Sequence, residues 1–292
     1  MLVDNIEIAI DGGLFRTARL RHEKFEFVKD PLRMIEKFRQ GRPIADLFTF
    51  VQENYDEHSY PEFVKELDGE SYLSITTHEQ WWKALDFKVR NKIRKAQKSG
   101  VELRPATLTD EFVKGVQSIY NESPFRQGRK FIHYGKSFAV IKNDLSSFPE
   151  CTSFVGAYYQ SELIGFMKLF EGKNVLRTVH IIAKLAHRDK PVMDALVSRA
   201  VEICEQKKLC YLNYGSWTGG GLGDFRIKHG FKRFDMARYF VPLTFVGKLM
   251  LKLKLHRRLR DRLPEKFVDI LLSFRKRALL LRDKATKRLS NV

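Results

Sequence analysis

The side chains of this chain that are suited to moving a proton or holding an anion fall in a few short stretches. Tyr120-Asn121-Glu122-Ser123-Pro124-Phe125-Arg126-Gln127-Gly128-Arg129 mixes one acid with amides and arginines between structured elements, the composition of a loop that meets a polar substrate. Glu122 is its carboxylate; Asn121, Arg126, Gln127 and Arg129, with Tyr134 just beyond, are candidate substrate contacts. His180 lies midway along a strand-like run, where an imidazole acts as a base or is held in the core by hydrogen bonds. Tyr214 ends the next strand and either offers its hydroxyl to a leaving group or packs under the turn Gly219-Gly220-Gly221. That turn lacks the lysine and spacing of a phosphate-binding P-loop and reads as a flexible bend. In His187-Arg188-Asp189-Lys190-Pro191-Val192, Arg188, Lys190 and the positive end of the helix that follows present positive potential to an anion, or the segment is a plain helix start.

Other chemistries have no support. Cys151, Cys204 and Cys210 form no CxxC pair and no Cys/His cluster, so neither a disulfide framework nor a metal site is expected. No Ser/His/Asp order and no dinucleotide fingerprint is present.

Positioning such residues requires a sheet with helices on its faces. Residues 1–78 read as a small lobe, with a strand at 6–10, a Gly12-Gly13 turn, a helix over 31–39 and an apolar run over 44–51. Residues 79–242 hold the informative order. A basic helix, with Trp82, Leu85, Val89, Ile93 and Ala96 on one face, ends at Gly100, and a short strand over 101–104 follows. Thr109-Asp110 begins a helix carrying Phe112, Val116 and Ile119 on one face. Two hairpin strands over 153–159 and 163–170 lead to a strand over 175–182, a helix over 191–206, a strand over 209–214 and a short helix ending at Gly230-Phe231. This order predicts an α/β fold with a mixed central sheet flanked by helices.

The chain has 292 residues, 43 % of them hydrophobic, and 53 Lys plus Arg against 35 Asp plus Glu, a net charge of +18. Such a composition forms a core, which excludes a wholly disordered chain. Residues 243–292 carry 15 Lys plus Arg and 4 Asp plus Glu, so this tail holds +11 of the excess. A second cluster, Phe87 through Lys98, contains no acid. In the tail, Phe245, Leu249, Leu253, Leu259 and Leu263 repeat at helical spacing, Pro264 breaks the pattern, and Phe267, Leu271, Phe274, Ala278 and Leu281 repeat again. Two basic amphipathic helices are expected. They pack on their own domain, or they bring arginines to the phosphates of RNA or of an anionic membrane, giving peripheral membrane association. The start Met1-Leu2-Val3-Asp4-Asn5 lacks the basic residues of a signal peptide, and no apolar run approaches the roughly 20 residues of a membrane span, so a cytoplasmic location is expected.

The order of elements resembles the GNAT superfamily of N-acyltransferases. Arg104-Pro105-Ala106-Thr107-Leu108-Thr109-Asp110 is similar to its first strand and helix entry, Ser161-Glu162-Leu163-Ile164-Gly165-Phe166 to its hairpin, and Phe225-Arg226-Ile227-Lys228-His229-Gly230-Phe231 to its last helix and "GF" turn. Within the superfamily the chain resembles the FemAB-like branch, whose known members move amino acids from aminoacyl-tRNA onto peptidoglycan precursors. That branch has a basic helix much like Arg90 through Glu102 and a Phe-Lys pair where this chain has Phe225-Arg226. The resemblance covers residues 79–240.

It implies transfer of an acyl or aminoacyl group to an amine-bearing acceptor such as a cell-envelope precursor, from acyl-CoA (acetyl-CoA) or from aminoacyl-tRNA, without a metal. Glu122 would be the base, or else a plain surface carboxylate at a helix end; Tyr214, His180 and Arg226, the last otherwise a solvated residue on a short helix, complete the catalytic candidates. Backbone groups near Ile182 and Ala183 would meet the donor carbonyl, with Arg188, Lys190, Phe225 and Lys228 near the donor. The chain departs from the pattern twice. The segment 187–192 lacks the glycines that cradle the coenzyme A pyrophosphate, and Arg226 stands where many members carry a tyrosine acid. Arginine holds an oxyanion or phosphate but gives up no proton at neutral pH. The alternative is a GNAT-like protein without turnover that binds RNA or an anionic membrane through its basic helices.

Overall fold

The computed structural model describes residues 2–3, 6–13, 15–23, 25–40, 44–52, 58–126 and 129–257. The amino-terminal stretch supplies β1 (Leu2–Val3), β2 (Ile6–Asp11), β3 (Thr17–Leu20), α1 (Pro31–Arg39) and β4 (Leu47–Val51). There follow β5 (Val64–Ser74), α2 (His78–Ala84), α3 (Phe87–Lys98), β6 (Glu102–Ala106), α4 (Asp110–Asn121) and the short pair β7 (Phe125–Arg126) and β8 (Arg129–Lys130). Then come α5 (Phe138–Leu145), β9 (Thr152–Tyr159), β10 (Glu162–Glu171), β11 (Val175–Ala183) and α6 (Val192–Gln206). The described chain closes with β12 (Tyr211–Ser216), α7 (Gly220–Lys228), β13 (Lys232–Pro242) and α8 (Phe245–Lys252). Two compact units result. One joins Met1–Glu66, Phe125–Phe131 and the chain from Arg238 onward, and the other joins Leu67–Pro124 and Ile132–Ala237.

In the first unit the strand order is β1-β2-β3-β4-β13, antiparallel except for the parallel pair β3 and β4. Asp30 caps α1 by accepting the Arg33 N–H at 3.0 Å, and Pro31 suits its first position. The helix buries Met34, Ile35 and Phe38, with the Phe38 ring 4.9 Å from Phe48. Asp46 ties separate segments together: its carboxylate accepts the Arg16 N–H at 2.9 Å and the Thr244 hydroxyl at 3.0 Å. The expected tail helix forms only as far as Lys252. Lys254 adopts a positive φ of 54°, and the chain then anchors on Glu66, which accepts from His256 at 2.9 Å and Arg257 at 2.6 Å. The second tail helix, with Arg260 and the residues after it, lies outside the described residues.

In the second unit the order is β5-β12-β11-β10-β9-β6, and only β11 and β12 are parallel. Period-two alternation along β10 decides what covers each face. Met167 and Leu169 join the large core formed with Trp81, Ile93, Leu196 and Val201 of α2, α3 and α6. Phe166 instead faces the α4 side, with its ring 6.0 Å from Phe112 and 6.0 Å from Tyr120. The hairpin between β9 and β10 turns through Gln160 and Ser161, both at positive φ, 49° and 67°.

Three local expectations need correction. The basic helix does not begin at Trp82. Thr77 caps the separate α2, Leu85 is extended, and Asp86 caps α3 by accepting the Lys88 N–H at 2.7 Å. Trp81 rather than Trp82 enters the core. The glycine run is not a free bend, because Gly219 is the N-cap of α7 and Gly220, at φ +73°, its first residue.

Gly165 explains the small residue in the hairpin motif. A Cβ there would lie 2.7 Å from Val192 Cγ1 and 3.3 Å from Ala183 Cβ, so glycine lets the start of α6 approach β10 and β11. Gly165→Val is expected to destabilise the fold by about 2 kcal/mol in urea unfolding, as overpacking does; an unchanged midpoint would show that α6 does not need this approach.

Candidate functional site

The second unit opens where its parallel strands part. β11 and β12 pair at Val175 with Tyr211, Leu176 with Leu212 and Arg177 with Asn213. Beyond these pairs β11 continues along β10 to Ala183, while β12, paired with β5 from Tyr211 onward, stays with β5 through a register shift to Ser216 opposite Glu70. Asn213 ties β12 to β5 at this point. Its amide donates to Glu70 Oε2 at 3.1 Å and to the Ser71 carbonyl at 3.3 Å, and its oxygen accepts the Gly215 N–H at 3.1 Å. Gly215 takes φ +75°, and Ser216 Oγ donates to Glu70 Oε1 at 2.9 Å. In open α/β sheets the carboxyl ends of parallel strands that separate in this way are where ligands bind.

Ile182 and Ala183 lie on the parted end of β11, paired with Phe166 and Gly165 on its other side. His180 sits opposite Lys168, with its ring 5.3 Å from His133 and 6.4 Å from Phe166. Burial, reinforced by His133 and Lys168, lowers the His180 pKa to about 4, so the ring is neutral at physiological pH. Lys168 is buried in the middle of β10, where Nζ donates to the Leu145 carbonyl at 2.8 Å and to Ser147 Oγ at 2.8 Å. Burial draws its pKa down to about 8.

Glu122 follows α4 and reaches the segment after β11. Its two oxygens accept the N–H groups of Leu185 at 2.5 Å and Ala186 at 2.7 Å. Beside it, Lys184 donates to Ser118 Oγ at 2.8 Å and pairs with Glu162, which His187 approaches at 3.4 Å. The Lys184 hydrogen bond is the main force holding the Glu162 carboxyl below its usual range. Ser118, Asn121, Glu122, Glu162, Lys184 and His187 line an open depression of about 500 Å³. Lys190 pairs with Asp189 at 2.9 Å and lies 4.4 Å from the centre of the Tyr159 ring. Arg188 is exposed and makes no side-chain hydrogen bond or ion pair among the described residues. No side chain caps the amino terminus of α6.

Arg226 and Tyr214 are internal. The guanidinium donates to the Tyr214 carbonyl at 2.8 Å, the Ser216 carbonyl at 2.7 Å and Thr218 Oγ1 at 3.3 Å, and it lies 4.9 Å from the centre of the Tyr214 ring. It therefore staples α7 to the end of β12. The Tyr214 hydroxyl is buried without a hydrogen-bond partner among the described residues, and burial pushes its pKa far above the usual range. Phe225 packs 4.1 Å from the His229 ring, whereas Lys228 is exposed. Asn121 Oδ1 accepts the Gly135 N–H at 2.9 Å, and the neighbouring Tyr134 is 46 % exposed.

Arg126 and Arg129 belong to the β7–β8 hairpin of the first unit, with the Arg126 guanidinium 4.9 Å from the centre of the Phe131 ring. Gln127 lies outside the described residues. The geometry thus brings Glu122 to the segment before Arg188 and Lys190, and Tyr214 to Arg226 and Phe225. Sequence reasoning missed Lys168, whose signal was a lone charge inside an apolar strand, and the Lys184–Glu162–His187 cluster. It also missed Asn213 with Glu70. Among the described residues, no three His, Cys, Asp or Glu side chains are placed to hold a metal ion.

The neutral state of His180 has a measurable consequence. An unfolded imidazole titrates near 6.5, so as the pH falls from 6.5 toward 4 protons bind the unfolded chain first and stability drops through that window. An NMR titration is expected to show the His180 ring neutral down to about pH 4; a folded-state midpoint near 6.5 would refute it.

No protein-family model and no curated protein matches the sequence. Solved structures do match in fold. FemX superposes with a TM-score of 0.56 at 8 % identity, over 80 % of this chain and 83 % of that one. L-PGS from Bacillus licheniformis gives 0.53 at 14 %, over 86 % of each chain. A C-terminal domain assigned to a lysylphosphatidylglycerol synthetase from Agrobacterium fabrum gives 0.53 at 11 %, over 84 % of this chain and 83 % of that one. With its parted parallel strands and helix-flanked mixed sheet, the chain has the fold of the GNAT superfamily in its FemAB-like form.

Proposed function

We propose that the chain is an acyltransferase that moves an acyl or aminoacyl group from an activated donor onto the amine of an acceptor, at the carboxyl ends of β11 and β12. The observation that carries this reading is the parting of those strands after Arg177 and Asn213 in a FemAB-like fold. From Thr178 to Ala183, β11 has β10 on one side and no pairing with β12 on the other. Backbone N–H groups on that edge can polarise a donor carbonyl and stabilise the oxyanion that forms on attack.

Esters and thioesters are already activated toward amines, so most of the acceleration comes from holding the neutral amine against the carbonyl. That suits a site in which the side chains of Glu122 and Arg226 are already engaged by backbone groups of the chain. On this reading Glu122 is a positioning residue that fixes the segment 184–190. The phosphates of the donor fall to Arg188, Lys190 and the uncapped start of α6.

Aminoacyl-tRNA fits better than acyl-CoA. Glu122 already fills the N–H pair of Leu185 and Ala186, and Pro191 has no N–H, so a compact pyrophosphate loses backbone donors that a phosphate chain spread over several side chains does not need. The acceptor class is an amine-bearing cell-envelope precursor. A second reading, binding without turnover, draws on one observation: the Tyr214 hydroxyl and the Arg226 guanidinium are both buried, leaving neither as an exposed acid for a leaving group.

The test is incubation of the full chain with labelled aminoacyl-tRNA, acetyl-CoA and longer acyl-CoAs, together with amine acceptors, read by mass spectrometry and thermal shift. Charged tRNA is expected to stabilise the protein and yield an amide product. Product from acetyl-CoA alone would overturn the donor preference, binding without product would favour the second reading, and neither would sink the enzyme. Glu122→Ala is expected to raise the donor KM by about tenfold with kcat less affected, as loss of a residue that holds a loop does.

A further inference from the structure

We propose that α8 seats the chain on an anionic lipid surface by inserting an outward apolar side into the headgroup boundary. The helix is apolar on two sides. Its inner side is docked in the first unit: Met250 is buried, and a Cβ on Gly247 would fall 2.0 Å from the Asp46 carbonyl oxygen. Thr244 fixes its start, accepting the Gly247 N–H at 3.1 Å and donating to Asp46 at 3.0 Å. Glu66 fixes the chain just after its end through His256 and Arg257. Hydrogen bonds from these two residues outweigh burial and hold the Glu66 carboxyl below its usual range, so the anchor is charged at neutral pH.

The outer side carries Phe245 at 81 % exposure, Val246 at 39 %, Leu249 at 44 % and Leu253 at 56 %. Phe245, Leu249 and Leu253 follow a spacing of four and share one stripe. A helix docked on a core needs one apolar side; this one presents a second to solvent. Phe15, 44 % exposed, adjoins Arg16, whose N–H is held by the same Asp46.

Charge selects the occupant. Between Leu243 and Arg257 there are four Lys or Arg and no Asp or Glu, and residues 243–292 as a whole carry +11. Lys248, Lys252 and Lys254 flank the apolar stripe and make no ion pair among the described residues. An RNA backbone would use the lysines but leave Val246, Leu249 and Leu253 in water, whereas a lipid surface satisfies both groups at once. Among the described residues no helix is long and apolar enough to cross a membrane, so the contact is peripheral. This inference does not depend on the transfer reaction.

Co-sedimentation of the full chain with phosphatidylcholine vesicles, with and without phosphatidylglycerol, tests it. Binding is expected to the anionic vesicles, with about a tenfold or greater loss for the double variant Phe245→Asp, Leu249→Asp, as expected when buried apolar contacts are removed. Both positions are exposed, so the thermal midpoint of that variant should match the parent. A second variant, Phe245→Trp, should show a blue shift of its emission when anionic vesicles are added. No sedimentation, equal sedimentation of parent and double variant, an unmoved tryptophan emission, or tRNA binding without vesicle binding would each overturn the proposal.

Discussion

Asn213 is the constraint on which the second unit depends. Its amide is 2 % exposed, and a buried amide must find partners for its donors and its acceptor. It finds them at Glu70 Oε2, the Ser71 carbonyl and the Gly215 N–H, and the first two lie on β5. β12 is thereby held to β5 at the residue where its pairing with β11 ends. Thr178, at the fork, still reaches back, its hydroxyl donating to the Asn213 carbonyl at 3.2 Å. The strand gap therefore opens beside a buried side chain whose bonds all hold β12 and its turn to β5.

The interior of this unit holds several cations, each hydrogen-bonded by backbone oxygens or a neutral hydroxyl more than by carboxylates. Lys168 uses the carbonyls and hydroxyl at the end of α5, Arg226 those at the end of β12, and Arg177 donates to the Tyr72 hydroxyl at 3.0 Å. Such groups cost much to leave unpaired, so they fix the loops that carry those oxygens. Arg226 illustrates the effect. A guanidinium that bridges Tyr214, Ser216 and Thr218 makes the glycine-rich start of α7 rigid relative to β12, which a freely bending turn would not be.

Much of the scaffold was legible because helical and alternating periods survive burial. The bounds of α1 were readable from Pro31 and the Met34–Ile35–Phe38 spacing, and the β9–β10 hairpin from its alternation. The break between α2 and α3 was hidden, since Leu85 stays in phase with Val89 and Ile93 while its backbone turns extended. The fold resemblance placed the parting of β11 and β12 near 180–183, whereas their pairing ends at Arg177 with Asn213, and the bond of Asn213 to Glu70 beside it, across 143 positions, left no local trace. Glu122 stood out as the acid of a polar loop, yet its partners lie 63 and 64 positions away. Tail periodicity put Phe245, Leu249 and Leu253 on one side, and all three are exposed, but it did not say which side docks, because Gly247 contributes by its small size and carries no hydrophobic signal.

The acid-free face of α3 acquires a direction from its carboxyl end. Gly100 closes the helix at φ +80°, with room for a Cβ 3.7 Å from the Tyr159 ring. The same ring carries Lys190 at 4.4 Å and lies 5.7 Å from His187. Exposed Lys95 and Lys98 in the last turn of α3 are thus followed, through Tyr159, by the cations that precede α6. Lysines there also offset the negative end of the helix dipole, which accounts for two of them. Lys88 and Lys92, earlier on α3, have no such role, and on the transferase reading they extend the track away from the gap. The cations of α3 and of the segment before α6 thus meet at one aromatic ring, Tyr159, on the covered side of β9.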